Sequence, residues 1–310
     1  MVRHLLKVTD LTRSECELII NKAVDIKKNP NKYYKSLEHE TLLMLFEKPS
    51  LRTRISFETG MHQLGGHAIF YSIKDSPLGV KENISDTSIV ASRFVNIIAA
   101  RVFKRQDIWD LAKYASVPVI NMLDDFAHPC QILGDFLTIK EKIGKLTNFK
   151  LAYYGDAHNN VTYDLMRMAA IFGIEMEVTC PKGPEYTPED IVVEEVRNLS
   201  DESGAKIRVI HNAKEAAQSA NVIYTDSWMS YGIPKEQEEE RVKAFNPFQV
   251  TTEILDRAHS DVIFMNCLPA MRGYEQTAEV IDGSHSVVFD QAENRLHIQK
   301  AIMLFLREKF

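Results

Sequence analysis

Ser50, Arg52 and Thr53 place three phosphate-type donors within four residues. Each hydroxyl can donate to a phosphate oxygen, and the guanidinium is a planar fork that fits two such oxygens at once. Arg101, His128 and Gln131 add donors later in the chain, and Asp226 and Cys267 add a carboxylate and a thiol. No G-x-x-x-x-G-K-[ST] or G-x-G-x-x-G run occurs. That argues against nucleoside triphosphates and dinucleotides and leaves a small phosphate ester or acyl phosphate as the better match. Taken alone, His128 reads more often as a structural hydrogen-bonding group than as a catalyst. A lone cysteine such as Cys267 is usually a small buried hydrophobe. Asp226 could bind an amine or accept hydrogen bonds from a loop.

These residues fall at the ends of predicted strands. Leu42-Leu43-Met44-Leu45-Phe46 reads as a short buried strand, and Ser50 stands where a helix begins after Pro49. The first N–H groups of that helix lack internal partners and carry the positive end of its dipole, so they suit an anion. The alternative is a capped surface helix with two solvated arginines. Arg101 follows the strand Ile97-Ile98-Ala99-Ala100, and His128 precedes a helix from Pro129 to about Ile143. Asn160 opens a helix after strand Lys150–Tyr154. Asp226 follows strand Val222–Thr225, and Cys267 comes just after the run Val262-Ile263-Phe264-Met265. Further readings are a solvated helix face over Gln237–Arg241, a strand at Val287-Val288-Phe289 and a terminal helix from Ala292. Lys74–Asn83 has no period and reads as an exposed loop.

Strands alternating with helices predict an α/β fold of two domains, each a mostly parallel sheet flanked by helices. The expected boundaries are 1–144 for the first domain and 149–290 for the second, joined by Gly144–Asn148, with a C-terminal helix over 291–310. In open parallel sheets ligands sit beyond the carboxyl ends of the strands. The polar residues collect there, which predicts a single site between the domains. Strand ends are polar in any case because loops are polar, but that explains an Arg–Arg–His–Gln set less well.

At 310 residues and a net charge of −6, the chain has the balance of an ordinary globular protein, with no general attraction to nucleic acid or membrane. The longest apolar runs fall short of the ~20 residues that span a bilayer. The N-terminus does not read as a signal peptide. Cys16, Cys130, Cys180 and Cys267 lie far apart, which suggests neither a zinc site nor a disulfide framework and fits a reducing cytoplasm.

Three motifs occur in order: Ser50-Leu51-Arg52-Thr53-Arg54, His128-Pro129-Cys130-Gln131 and Cys267-Leu268-Pro269-Ala270. Together they resemble the aspartate/ornithine carbamoyltransferase family over the full chain. Asp226-Ser227-Trp228-Met229-Ser230-Tyr231-Gly232 is similar to the D-x-W-x-S-M-G of the ornithine-type members. Gly155–Asn160, Cys267-Leu268-Pro269 and Glu293-Asn294-Arg295 match their patterns too. The resemblance implies a carbamoyl-phosphate domain followed by an amino-acid domain, with the C-terminal helix 291–310 returning to the first. It implies transfer of a carbamoyl group from carbamoyl phosphate to the δ-amine of L-ornithine, giving L-citrulline and phosphate, a reaction of arginine metabolism. No metal or organic cofactor is implied. Alternatives are a related acceptor, such as putrescine or an N-modified ornithine, and a non-catalytic paralogue.

By the same resemblance, Ser50, Leu51, Arg52, Thr53, Arg101, His128, Gln131, Cys267, Leu268 and Arg295 would bind carbamoyl phosphate. Asn160, Asp226, Ser230 and Tyr231 would bind ornithine, and Arg101, His128, Asp226 and Cys267 would act on the reacting atoms. A homotrimer with active sites at subunit boundaries is implied, with Lys74–Asn83 reaching a neighbour's site. The chain departs from the family pattern at Leu51 (often threonine), Tyr231 (usually methionine), Asn266 (usually histidine) and Pro77 (commonly a polar residue).

Overall fold

The computed structural model describes residues 2–73, 82–229 and 233–310. The chain forms two compact units, one of Met1–Leu137 with Glu293–Phe310 and one of Thr138–Ala292. The division falls inside a helix, ahead of Gly144–Asn148.

The first unit begins with α1 (Arg13–Lys28), opened by a capping box in which Thr12 accepts from the Glu15 N–H at 3.3 Å and Glu15 accepts from the Thr12 N–H. Then come β1 (Thr41–Phe46), α2 (Leu51–Gln63), β2 (His67–Ser72), α3 (Ile84–Ala91), β3 (Ile97–Arg101), α4 (Arg105–Tyr114), β4 (Val119–Leu123) and α5 (Pro129–Ile143). Among the described residues the sheet is four-stranded and parallel, in the order β2-β1-β3-β4. Every residue of β3 is buried, as a strand covered on both faces requires. Leu45, Ile98, Ala100, Ile108, Leu111 and Val119 pack the sheet against α4.

The second unit contains β5 (Lys150–Tyr154), α6 (Asn160–Phe172), β6 (Glu175–Thr179), α7 (Asp190–Ser203), β7 (Lys206–Ile210), α8 (Ala213–Ala217), β8 (Val222–Thr225), α9 (Glu238–Phe245), α10 (Thr252–Leu255), β9 (Ile263–Asn266) and α11 (Ala278–Ile281). Its sheet is parallel in the order β7-β6-β5-β8-β9. Helix α12 (Val288–Leu306) follows, and its residues from Glu293 onward belong to the first unit.

Two sequence expectations change. Val287-Val288-Phe289 is not a strand: Val288 opens α12, and Phe289 is 70% exposed. Among the described residues, one isolated bridge, Phe264 with Ser286, lies at β9 outside its pairing with β8. Gln237–Arg241 is not uniformly solvated, because Arg241 is buried.

Strand order positions the functional loops. In the first unit the chain goes from β1 outward to β2, then returns to the other side of β1 as β3. In the second it goes from β5 through β6 to β7, then returns beside β5 as β8. Such reversals leave two loops diverging at the carboxyl ends of adjacent strands, which opens a crevice for ligands. The loops concerned follow β1 and β3, and β5 and β8.

Candidate active site

In the first unit, register aligns Phe46 of β1 with Arg101 of β3, and Arg101 with Leu123 of β4. The segments carrying Ser50, Arg101 and His128 therefore leave the sheet side by side. Ser50 occupies the N-cap position of α2 but makes no side-chain cap bond. Instead its hydroxyl donates to Thr53 Oγ1 at 3.0 Å. Arg295, on α12, donates from Nη2 to the same oxygen at 3.4 Å and from Nη1 to Gln131 Oε1 at 2.5 Å. Gln131 in turn donates to Asp135 at 2.8 Å. The Thr53 oxygen thus accepts two bonds, which leaves its own hydrogen for a third partner. Arg52 is half-buried in the first turn, and Leu51 beside it is 70% exposed.

Arg101, His128, Thr53, Gln131 and Arg295 are all buried. Burial, with the charges of Arg295, Arg101 and Lys48 adding to it, holds the His128 imidazole well below its ordinary range. At neutral pH it is an uncharged donor–acceptor. Lys48 was not singled out from the sequence. It is buried, its ammonium lies 4.5 Å from the Phe103 ring centre, and burial followed by the charge of Arg101 lowers its pKa. Its place two residues before Ser50 was the available signal. The assembly is a pocket of cations and neutral donors, which suits a small dianion.

In the second unit, Tyr154, Thr225 and Asn266 align across β5, β8 and β9. The next residues along are Gly155, Asp226 and Cys267, so register alone puts the carboxylate beside the thiol. The Cys267 Sγ–H donates to Asp226 Oδ1 at 3.0 Å. Burial raises the Asp226 carboxyl above the usual range, and the thiol and the Ser227 N–H offset part of that rise. Asn160 is the first residue of α6, whose N-cap Asn159 accepts the Thr162 N–H at 2.9 Å. Ser230, Tyr231 and residues 74–81 lie outside the described residues.

Asn266 is explained by its bonds. Its side chain accepts the Leu268 N–H at 2.8 Å and donates to Gln276 at 3.0 Å, while its own N–H donates to Gln291. It therefore shapes the turn carrying Cys267 and Leu268. Glu275, also missed, accepts the N–H groups of Trp228 at 3.3 Å and Met271 at 2.9 Å.

Two family models match in tandem. Residues 3–141 match the carbamoyl-P binding domain of aspartate/ornithine carbamoyltransferase, and residues 147–306 match its Asp/Orn binding domain. The chain belongs to the aspartate/ornithine carbamoyltransferase family. Within that family it is 46% identical to the ornithine carbamoyltransferase of Methanocaldococcus jannaschii, over 99% of each chain. It is 48% identical to that of Thermococcus kodakarensis, over 97% of this chain and 95% of the relative. A solved structure of the ornithine carbamoyltransferase from Pyrococcus furiosus superposes with a TM-score of 0.93 at 46% identity, over 97% of this chain and 96% of that one.

Proposed function

We propose that this protein transfers the carbamoyl group of carbamoyl phosphate to the δ-amine of L-ornithine, giving L-citrulline and phosphate. One observation carries the reading. The Thr53 hydroxyl is bonded by Ser50 and Arg295, and Arg295 also holds Gln131, so three distant segments converge on one donor cluster at the start of α2.

The roles follow from the chemistry of each group. The phosphate lies on the first N–H groups of α2, with Ser50, Leu51 (through its backbone), Arg52, Thr53 and Arg101 around it. Arg101, His128 and Thr53 donate to the carbonyl oxygen as negative charge develops there. Gln131, Arg295, Cys267 and Leu268 complete the carbamoyl contacts. Neutral His128 gives that oxygen a donor without adding a third charge.

Asn160, Asp226, Ser230 and Tyr231 hold the amino acid. The δ-amine attacks the carbonyl carbon, a C–N bond forms, and the C–O bond to phosphate breaks with its electron pair on the leaving oxygen. The attacking nitrogen releases one proton as that bond forms, and the departing phosphate, left with an extra negative charge, takes it up. Ornithine's side-chain amine is mostly protonated at neutral pH, like that of lysine. Asp226, raised by burial and next to the Cys267 thiol, is the base positioned to take the proton. Holding two substrates in line supplies much of the remaining rate.

The assembly belonging to this reading is a homotrimer. Exposed apolar side chains support it: Leu51 and Ile55 on α2, Ile69 and Tyr71 on β2, Val90 on α3 and Phe94 just beyond. Strand β2 is a sheet edge, and an edge with outward Ile69 and Tyr71 is an aggregation hazard unless covered. A cytoplasmic setting is also part of the reading, supported by four cysteines present as thiols. Among the described residues no helix is long and apolar enough to cross a membrane.

The test is citrulline formation from ornithine and carbamoyl phosphate, with putrescine and N-acetylornithine as rival acceptors. Ornithine giving the highest kcat/KM supports the proposal. Preferred turnover of a rival amine reassigns the acceptor, and no transfer to any of them rejects the activity.

A further inference from the structure

Arg241 stands outside every role assigned so far. It sits on α9 and is 7% exposed, in a stretch whose acidic run suggests a solvated face. Its Nε donates to the Trp228 carbonyl at 2.8 Å, and its Nη2 pairs with Asp156 Oδ2. The guanidinium lies 5.0 Å from the Phe245 ring centre and 5.8 Å from that of Tyr186. One planar group therefore ties the segment after β8 to the loop after β5.

Both tied segments lead to proposed acceptor residues. Trp228 is two residues beyond Asp226. The Asp156 carboxylate accepts the His158 N–H at 3.0 Å, and its carbonyl accepts from Tyr153 at 2.7 Å and from Asn159 at 2.5 Å. Asn159 caps α6, whose first residue is Asn160. The packing is as close as the bonding. Gly155 has φ of +112°, and a Cβ there would come 2.9 Å from Trp228 Nε1. Two rings stack on Trp228, Phe245 at 5.7 Å and Tyr274 at 6.2 Å between ring centres.

The energetics point away from a simple stabilising role. Burial raises the Asp156 carboxyl even though Arg241 opposes the rise. Burying an ion pair costs desolvation that the pairing often fails to repay, so a buried pair is weak ground for stability. What it supplies is a fixed spacing.

We propose that Arg241 is a positioning residue that sets Asn160 and Asp226 at the spacing the amino-acid acceptor requires. The inference rests on the acceptor roles given to those two residues above. Lysine at this position has one compact ammonium and cannot serve two divergent acceptors as a fork does.

The experiment compares wild type, Arg241→Lys and the double variant Arg241→Met/Asp156→Asn, which leaves no unpaired buried charge. A displaced acceptor should raise KM for ornithine about 10-fold to 100-fold in both variants, in line with the cost of small misplacements remote from the chemistry. KM for carbamoyl phosphate should stay within about twofold, since its proposed phosphate ligands are in the other unit. Amide hydrogen exchange, measured without substrate, should quicken together at residues 156–162 and 226–229. A folded double variant with wild-type KM for ornithine overturns the proposal, and so does a rise in both KM values alike. Should the wild-type protein carbamoylate no amine, the functional reading fails by itself. The exchange data then decide the coupling alone: faster exchange confined to α9 rejects it.

Discussion

Arg295 donates to Thr53 Oγ1 at 3.4 Å, although 242 residues separate them in the chain. The same guanidinium donates to Gln131, so the last helix fixes two side chains of the donor cluster. Arg295→Ala should lower kcat/KM about 100-fold, comparable to losing one transition-state donor. Arg295→Lys should recover little of that, because an ammonium lacks the fork that reaches both partners. Steady-state kinetics on both variants check this. Full recovery in the lysine variant would show that charge alone matters.

The Cys267–Asp226 contact leads to a second expectation. The thiol donates to a carboxylate that burial already raises, so removing the thiol should raise the carboxyl further. Cys267→Ala should lower kcat about tenfold, less than the roughly 100-fold or more that losing a general base costs, with a smaller effect on KM for carbamoyl phosphate. Cys267→Ser keeps a donor and should fall between. Asp226→Asn should be more damaging than either cysteine variant. Equal activity in Asp226→Asn and wild type would remove Asp226 as the base.

Much of the scaffold was legible because its signals are local. The apolar run before Pro49 and Pro129 at a helix start each act within a turn or a strand. Parallel register then converts strand ends into neighbours, which is how Asp226 meets Cys267. What escaped were bonds that close over long separations. Arg241 sits in a charged run, yet its partner Asp156 is 85 residues away. Glu275 looks like ordinary loop polarity until its bond to the Trp228 N–H, 47 residues away, is seen, and Asn266 looks like a plain strand end until its N–H meets Gln291, 25 residues away. Val287-Val288-Phe289 has strand composition, but the fold uses it to start α12.

The proposed trimer makes a separate demand on Ile55 and Phe94, which are 53% and 78% exposed. Burying them in an interface should be worth about 1.5–3 kcal/mol each, and a buried unpaired charge there would reverse the sign. Ile55→Glu combined with Phe94→Glu should reduce the wild-type assembly from three chains to one while leaving helical content unchanged. Light scattering reads the first quantity and circular dichroism the second. A wild-type protein that scatters as a single chain would remove the trimer from the reading.

Glu275 sets a pH dependence that its glutamine variant isolates. The side chain is 1% exposed, and burial pushes its carboxyl from 4.5 up to about 7, despite the N–H groups of Met271 and Trp228 pulling the other way. Between those values the folded protein keeps a proton that the unfolded chain releases. Its contribution to stability is therefore full below about pH 4.5 and is lost as pH rises through about 7. Two and a half pKa units correspond to about 3 kcal/mol. Glu275→Gln carries no such proton, so the stability of wild type minus variant should fall by most of that amount, about 2.5 kcal/mol, between pH 5 and pH 8. His128, lowered by burial, works in the opposite sense: its contribution is lost as pH falls below its ordinary value. It is present in both proteins and cancels in the difference. Urea unfolding of the two proteins at both pH values measures the quantity directly. A difference that does not change with pH would mean that Glu275 is ionised in the fold throughout the range.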